Sequence, residues 1–177
     1  MTAGKILASI ILICAAVAGG GLYYLQVYGF YEEVQADNVE DVQLTGVVSG
    51  APEAILYENF KAIDADSSPL RYRACFETIM SQALLTETYE LYDNPVPNNA
   101  PGWFDCFDAQ DLGTALEEGT AIAFLGTSNI VYGFDRVVAV DGEGRGFVWH
   151  QLNECGEKAF DGDPLPPECP PPPERGE

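Results

Sequence analysis

Apolar and polar residues alternate along two neighbouring stretches in the middle of the chain, residues 54–64 and 70–79. A period of two is typical of a strand with one buried face. The stretch between them, Asp-Ala-Asp-Ser-Ser-Pro, has the composition of a turn, so the two strands are predicted to form a hairpin. The alternation assigns Leu70, Tyr72, Ala74 and Phe76 to the core face, and Arg71 and Arg73 to the other face.

A second hairpin is predicted nearer the C-terminus. Residues 130–140 and 145–152 both have strand composition, and they flank Asp-Gly-Glu-Gly, a turn-forming tetrapeptide. A short apolar run at residues 120–125 precedes this hairpin and is predicted to be a buried strand.

Two helices are predicted in addition to the strands. One covers residues 78–90, where a continuation of the preceding strand is the competing interpretation. The other has Asp108 as its N-cap and ends at Gly119, a residue type that commonly follows a helix. Hairpins with one or two helices predict an α+β domain with a mainly antiparallel sheet.

The N-terminal region differs in character from the rest of the chain. From Ile6 to Tyr31 there are 26 consecutive residues without a charge. A helix of about 20 apolar residues crosses a hydrocarbon core of about 30 Å, so this stretch is predicted to be a transmembrane anchor. Tyrosines at its end suit the membrane interface. Lys5 precedes the span, which predicts a cytoplasmic N-terminus and an exported C-terminal domain.

A cleaved signal peptide is the alternative interpretation of the same stretch. Ala16-Val17-Ala18 fits the small-x-small pattern of a cleavage site. The uncharged stretch, however, continues for 13 residues past Ala18. We therefore favour a membrane anchor that is retained.

Small residues four apart also occur within this span, at Ala15 and Gly19 and at Ala16 and Gly20. Such spacing lets a second transmembrane helix approach closely. A protein partner is therefore expected either along the anchor or on the acidic domain that follows it.

Cysteine usage agrees with export. Cys14 lies in the predicted anchor, and Cys75, Cys106, Cys155 and Cys169 follow it. An even number of cysteines in an oxidising compartment predicts two disulfides, for which three connectivities are possible. We favour Cys75–Cys106 and Cys155–Cys169, because the second pair closes a short loop that stabilises by about 3 kcal/mol.

These features divide the chain into four segments. Residues 1–31 are a cytoplasmic stub and the anchor, 32–48 a linker with a first strand, 49–160 the exported α+β domain, and 161–177 a tail. The tail holds seven of the twelve prolines. It is predicted to be extended, tethered by Cys169 and free beyond it.

Charge narrows the range of partners. The chain has 28 acidic and 8 basic residues, a formal net charge of −20, and every acid lies at or after Glu32. Such a domain repels phosphate backbones, so nucleic acid is a poor candidate partner and none is predicted. It attracts a Lys-rich protein, for instance a basic soluble electron carrier. A general adaptation to salty surroundings explains the acidity equally well.

His150 is the only histidine and lies on the apolar face of a predicted strand. A hydrogen-bonded core histidine is the favoured interpretation, because catalysis would need a nucleophile and a carboxylate nearby. The chain contains no recognisable catalytic, nucleotide-binding or metal-binding motif. We therefore predict no enzymatic activity, no metal and no cofactor.

Arg71 and Arg73 are a candidate ligand site, because they place two of the few basic residues on one strand face. They could receive an anionic ligand. Pairing with Glu58 or Glu77 inside the domain is the alternative.

Trp103 and Phe104 are a candidate interaction site. They lie in the loop at residues 94–107, which is rich in proline and asparagine. A docking patch beside a disulfide is one interpretation, and packing against the core is the other.

Four stretches together resemble a family of uncharacterised bacterial envelope proteins: GLYYLQVYGFYEEV, SPLRYRACF, APGWFDCFDA and FDRVVAVDGEGRGFVWHQLNECG. The resemblance implies a single-pass protein of the bacterial inner membrane with a small periplasmic domain. It supplies no activity, cofactor or site residue.

Two functions are expected from these observations. The first is a non-enzymatic, membrane-anchored accessory or assembly protein of an envelope complex. The second is an anchored sensor that binds a small anion at Arg71 and Arg73.

Overall fold

The uncharged N-terminal stretch folds into one long helix. The structure, a computed structural model, describes residues 3–37 and 41–173. Helix α1 (Ala3–Tyr24) continues into a π-helical turn, Leu25–Gly29, and no residue of α1 is buried. The whole segment has 27 residues, and an 18-residue window within it has a mean hydropathy of 2.2. By length and composition it can cross a membrane, as predicted, since it rises about 40 Å.

The chain divides into two units, Met1–Glu32 and Glu33–Glu177. Within residues 3–37 and 41–173, eight strands follow the helix: β1 (Glu32–Val34), β2 (Gln43–Thr45), β3 (Pro52–Ala54), β4 (Glu58–Asp64), β5 (Arg73–Glu77), β6 (Ala121–Val131), β7 (Phe134–Asp141) and β8 (Arg145–Leu152). Six of them form one sheet in the order β1-β4-β5-β8-β7-β6, and β2 and β3 form a separate ribbon. The pairings from β4 to β6 are all antiparallel, which confirms the predicted fold class.

Both predicted hairpins are present. β4 pairs with β5, and Ala62 lies opposite Ala74. β7 pairs with β8, and Val138 lies opposite Val148. The Asp-Gly-Glu-Gly sequence forms the second turn, where Gly144 has a φ of 83° that glycine tolerates at no steric cost.

The predicted limits of two strands were wrong. β6 has 11 residues instead of the short run predicted at 120–125, and it includes Ile130 and Val131, which were assigned to the next strand. The turn falls at Tyr132 and Gly133, where Gly133 has a φ of 82°. The polar residues that interrupt the apolar pattern are held by side-chain bonds, since Asn129 Oδ1 accepts from Gly133 N.

The described part of the second unit contains three α-helices: α2 (Gln82–Thr88), α3 (Ala109–Glu117) and α4 (Glu154–Asp161). α2 begins at a Ser81 N-cap, inside the range predicted for a helix. Asp108 caps α3 as predicted, accepting from two backbone N–H groups. α4 was not predicted, although Asn153 caps its start and Gly162 ends it with a φ of 78°.

One face of the sheet packs on the main apolar core. Tyr72, Ala74 and Phe76 lie in it, as the alternation predicts. Leu70 does not, because it belongs to a 3₁₀ turn before β5 and is half-buried. The core also includes residues from the segment predicted as a linker with a first strand: Val42 and Leu44, each fully buried.

Two disulfides are formed, with the favoured pairing. Cys75 bonds to Cys106 and Cys155 bonds to Cys169, which ties α4 to the tail. The Tyr132 hydroxyl also donates to the carbonyl of Pro170, so the tether extends one residue past Cys169. Residues 174–177 of the predicted tail lie outside the described residues.

Candidate functional site

The second face of the sheet is covered by the loop at residues 94–107, and Arg73 holds that loop in place. Arg73 lies opposite Trp149 in the sheet and is 3% exposed. Its Nε donates to the carbonyl of Asn98 at 2.8 Å and its Nη2 to that of Asn99 at 3.1 Å. Nη1 donates to two further carbonyls, those of Leu70 and Tyr72. Four of the five guanidinium N–H groups are therefore bonded to backbone carbonyls.

The same loop is fixed at its C-terminal end by a disulfide and an aromatic cluster. Cys75 follows Arg73 by two residues on β5 and lies on the same face of the sheet, and it is bonded to Cys106. The Phe107 ring makes edge contacts with Phe147 and Trp149, and the Arg73 guanidinium lies 5.7 Å from its centroid. The aromatic contacts and the buried cation reinforce each other in the desolvated space.

Amide side chains fix the beginning of the loop. Gln151 accepts from the backbone N–H of Val96 and donates to the carbonyl of Asn94. Asn98 donates to the carbonyl of His150. The loop, although irregular, is therefore held by directional bonds along its length.

A groove runs beside this loop across the second face of the sheet. It consists of two adjacent hollows, of about 690 Å³ and about 550 Å³. Both hollows are lined by Phe60, Lys61, Asp105 and Cys106. We call it the Lys61 groove. Trp103 and Phe104 line one hollow, and Phe147 and Arg145 line the other.

The charges in the Lys61 groove are mixed. Arg145 pairs with Asp141 at 2.7 Å and approaches Glu143 at 3.5 Å. Lys61 is exposed, and within residues 3–37 and 41–173 its ammonium group has no hydrogen bond or ion pair. Asp105 lies on the same groove. The groove therefore offers one unpaired cation beside acidic groups and aromatic surface.

His150 belongs to a separate buried cluster on the core face. Its Nε2 accepts from Arg136 Nε at 3.1 Å, and its Nδ1 lies 2.8 Å from the carbonyl of Pro69. Because an arginine only donates and a carbonyl only accepts, the ring is neutral with its proton on Nδ1. Tyr72 stacks on the ring at 4.8 Å, and the Arg136 guanidinium lies over Tyr72 at 4.5 Å.

Burial determines the ionisation of this cluster. Burial, assisted by the Arg136 charge, lowers the pKa of His150 from 6.5 to about 4. Burial also raises the pKa of the Tyr72 hydroxyl to about 12. Both His150 nitrogens are bonded to protein groups, which matches the predicted core histidine.

The predicted site residues occupy different positions. Arg71 lies half-buried on the 3₁₀ turn, whereas Arg73 is buried under the loop and poorly placed to receive an anion from solvent. Trp103 is half-buried, Phe104 is buried, and their rings meet edge to face. Sequence reasoning missed Lys61, which the strand register places opposite Cys75.

The chain therefore consists of an N-terminal apolar helix followed in sequence by a small, mainly antiparallel α+β domain that carries the Lys61 groove. The chain belongs to a family described as Family of unknown function (DUF6446), whose model matches residues 42–170. No curated protein and no solved structure is significantly similar to it.

We predict that Arg73→Ala destabilises the domain by about 2–4 kcal/mol, because it leaves loop carbonyls without donors in a buried space. Urea unfolding of the full chain in mild detergent, followed by near-ultraviolet circular dichroism, measures the loss. The control is Arg145→Ala, which removes a largely exposed cation and costs about 1 kcal/mol, because its partner Asp141 keeps two backbone N–H donors. Equal losses for the two variants would contradict the assigned role of Arg73.

We predict that His150 makes stability depend on pH between about 4 and 6.5. The unfolded chain binds a proton near pH 6.5 and the folded chain only near pH 4, so stability falls as the pH decreases through this window. The contribution reaches about 3 kcal/mol. Unfolding curves of the natural chain and of His150→Gln, measured across this pH range, isolate the contribution of His150. The carboxylates titrate in both proteins, so their effect cancels in the difference.

Nuclear magnetic resonance provides an independent check of the same prediction. The chain has one histidine, so its ring signals need no further assignment. They should titrate near pH 4. A midpoint near the ordinary pKa of 6.5 would show that the ring is not sealed in the core.

Proposed function

We propose that this protein is a membrane-anchored accessory protein whose exported acidic domain binds a basic protein partner. The apolar helix Ala3–Gly29 supports the anchor. The two disulfides support folding in an oxidising compartment. Lys5 ahead of the span supports a cytoplasmic N-terminus and, with it, our proposal of a periplasmic domain.

The observation that carries the proposal is the distribution of charge over the domain surface. Among the described acidic residues only Asp135 and Asp141 are buried. The basic residues are instead largely engaged internally: Arg73 with carbonyls, Arg136 with His150, and Lys158 with Asp163. The charge that reaches solvent is therefore almost entirely negative.

Such a surface suits association with a Lys- or Arg-rich protein. Complementary potentials accelerate encounter and disfavour acidic competitors. An anchor confines the domain to the bilayer surface, so a soluble basic partner is concentrated there. Both ring nitrogens of His150, the one histidine of the chain, are bonded to protein groups, which supports a binding role without catalysis.

Retention of the anchor can be tested by counting thiols. The chain has five cysteines, of which Cys14 is free and lies before the alternative cleavage site. Protein denatured without reductant and treated with a maleimide should gain one adduct by mass spectrometry. Cys14→Ser should gain none. Absence of the adduct in the natural chain would indicate cleavage, and adducts on all five cysteines would contradict an oxidising compartment.

The partner is tested by crosslinking in native membranes, gentle detergent extraction and mass spectrometry. Two variants remove three exposed acids each and leave the net charge equal: Asp111→Asn, Glu117→Gln and Glu118→Gln around α3, and Glu154→Gln, Glu157→Gln and Asp161→Asn on α4. We expect a basic partner whose recovery falls about tenfold with one variant and little with the other.

Salt provides the second arm of this experiment. At about 0.5 M salt the Debye length is about 4 Å, so the attraction between the acidic domain and a basic partner is screened. Recovery of the partner should therefore fall at high salt, as it does with the sensitive variant. Recovery of the protein alone from every preparation would contradict the proposal. A partner that is insensitive to salt and to both variants would contradict its electrostatic basis.

A further inference from the structure

The Lys61 groove has the features of a site for an extended, proline-rich segment. Phe60 supplies aromatic surface in both hollows of the groove, and Trp103 supplies it in one of them. Lys61 supplies a cation without a hydrogen bond or ion pair within the described part of the chain, and Asp105 lies on the same groove. Aromatic-lined grooves bind polyproline segments because these are already extended and lose little entropy on binding.

The chain itself carries a segment with matching chemistry. Pro170 to Pro173 are four consecutive prolines, exposed in the structure, and the sequence continues Glu-Arg-Gly-Glu. Glu174 matches the unpaired Lys61, and Arg175 matches Asp105. A ligand with one acid and one base beside a proline run suits a groove whose own charges are mixed.

The four described prolines of the tail lie outside the groove of their own molecule. Pro170 is fixed at the Tyr132 turn, beside the Leu152 end of β8, whereas Arg145 to Phe147 at the other end of β8 line the groove. These ends are separated by about 17–24 Å along the strand. The three prolines after Pro170 span only about 9 Å as polyproline, so the proline run does not reach the groove of its own molecule.

We propose that the Lys61 groove binds residues 170–177 of a second copy of this chain. Two acidic domains repel each other, but this repulsion is screened beyond about 8 Å at physiological salt. Anchoring both copies in one membrane raises their effective concentration, so a weak local contact suffices. This self-association is independent of the basic partner proposed above.

Zero-length carbodiimide crosslinking tests the contact, because it joins an amine to a carboxylate only where they touch. Full chains labelled with ¹⁴N and with ¹⁵N are mixed in detergent, reconstituted together in liposomes and crosslinked. We expect peptides that join Lys61 to Glu174 or Glu177, including hybrids of the two isotopes in the proportion for random pairing. Lys61→Gln should abolish them, and the matched control Lys158→Gln should not, because Lys158 already pairs with Asp163.

A second measurement uses a synthetic peptide of residues 170–177, acetylated and amidated, added to the full chain in detergent. The chain has two tryptophans, and Trp149 is fully buried, so a fluorescence change reports on Trp103. The peptide should shift the emission and lose about tenfold in affinity when its four prolines are replaced by alanine. Trp103→Phe should remove the signal.

Three results would overturn the proposal. Crosslinks between Lys61 and the tail that never contain both isotopes would show contact within one molecule. Crosslinks from Lys61 to carboxylates elsewhere in a second copy would show self-association through a different contact. Absence of any crosslink from Lys61 to the tail, together with no fluorescence response to the peptide, would show that the tail does not occupy the groove.

Discussion

A buried guanidinium determines the shape of this domain on the side where its groove lies. Arg73 emerges from the middle of the sheet and donates to two carbonyls of the loop it supports and to two carbonyls of the segment just before β5. A loop presents its backbone carbonyls at positions that no regular ladder satisfies, so a planar donor with several N–H groups can fix them together. Without that donor the loop at residues 94–107 would have to find water for the same carbonyls. The groove beside it would then lose its wall.

The disulfide and the aromatic cluster act on the same loop by a different mechanism. Cys75–Cys106 limits the loop in the unfolded chain as well as in the folded one, whereas the Phe107 ring and Arg73 contribute only once the sheet has formed. The covalent link therefore brings the loop close to the sheet, and the hydrogen bonds then select its conformation. This division explains how an irregular segment presents Trp103 in a defined position beside Lys61.

Local signals in the sequence predicted the local structure well. Asp108 caps a helix because its carboxylate reaches two free backbone N–H groups, and this depends only on neighbouring residues. The alternation in β5 placed Ala74 and Phe76 correctly, because the core covers that face continuously. The end of β6 was missed because Asn129 and its neighbours are held by hydrogen bonds to residues across the turn, which period-two analysis does not detect.

The candidate site was harder to predict for a related reason. When only the strand is considered, an arginine on the face away from the core, such as Arg73, is expected to contact solvent or a ligand. In the structure it contacts backbone carbonyls of a loop some 25 residues later in the chain. Lys61 lies beside Cys75 only because of the β4–β5 register, which includes an irregularity between Glu58 and Lys61. Both positions depend on pairing between distant segments.

The positions of the few basic residues explain both the negative surface and the charge of the Lys61 groove. Most of the described cations after the anchor are engaged with protein groups, so the acids remain uncompensated at the surface. General adaptation to salt would reduce basic residues everywhere, whereas here Arg73 is retained in the interior and Arg136 in a half-buried position, where they satisfy carbonyl and imidazole acceptors. A domain of this kind repels its own copies at long range. Self-association therefore requires a short-range contact with matched charges, and among the described residues Lys61 provides the unpaired cation that such a contact needs.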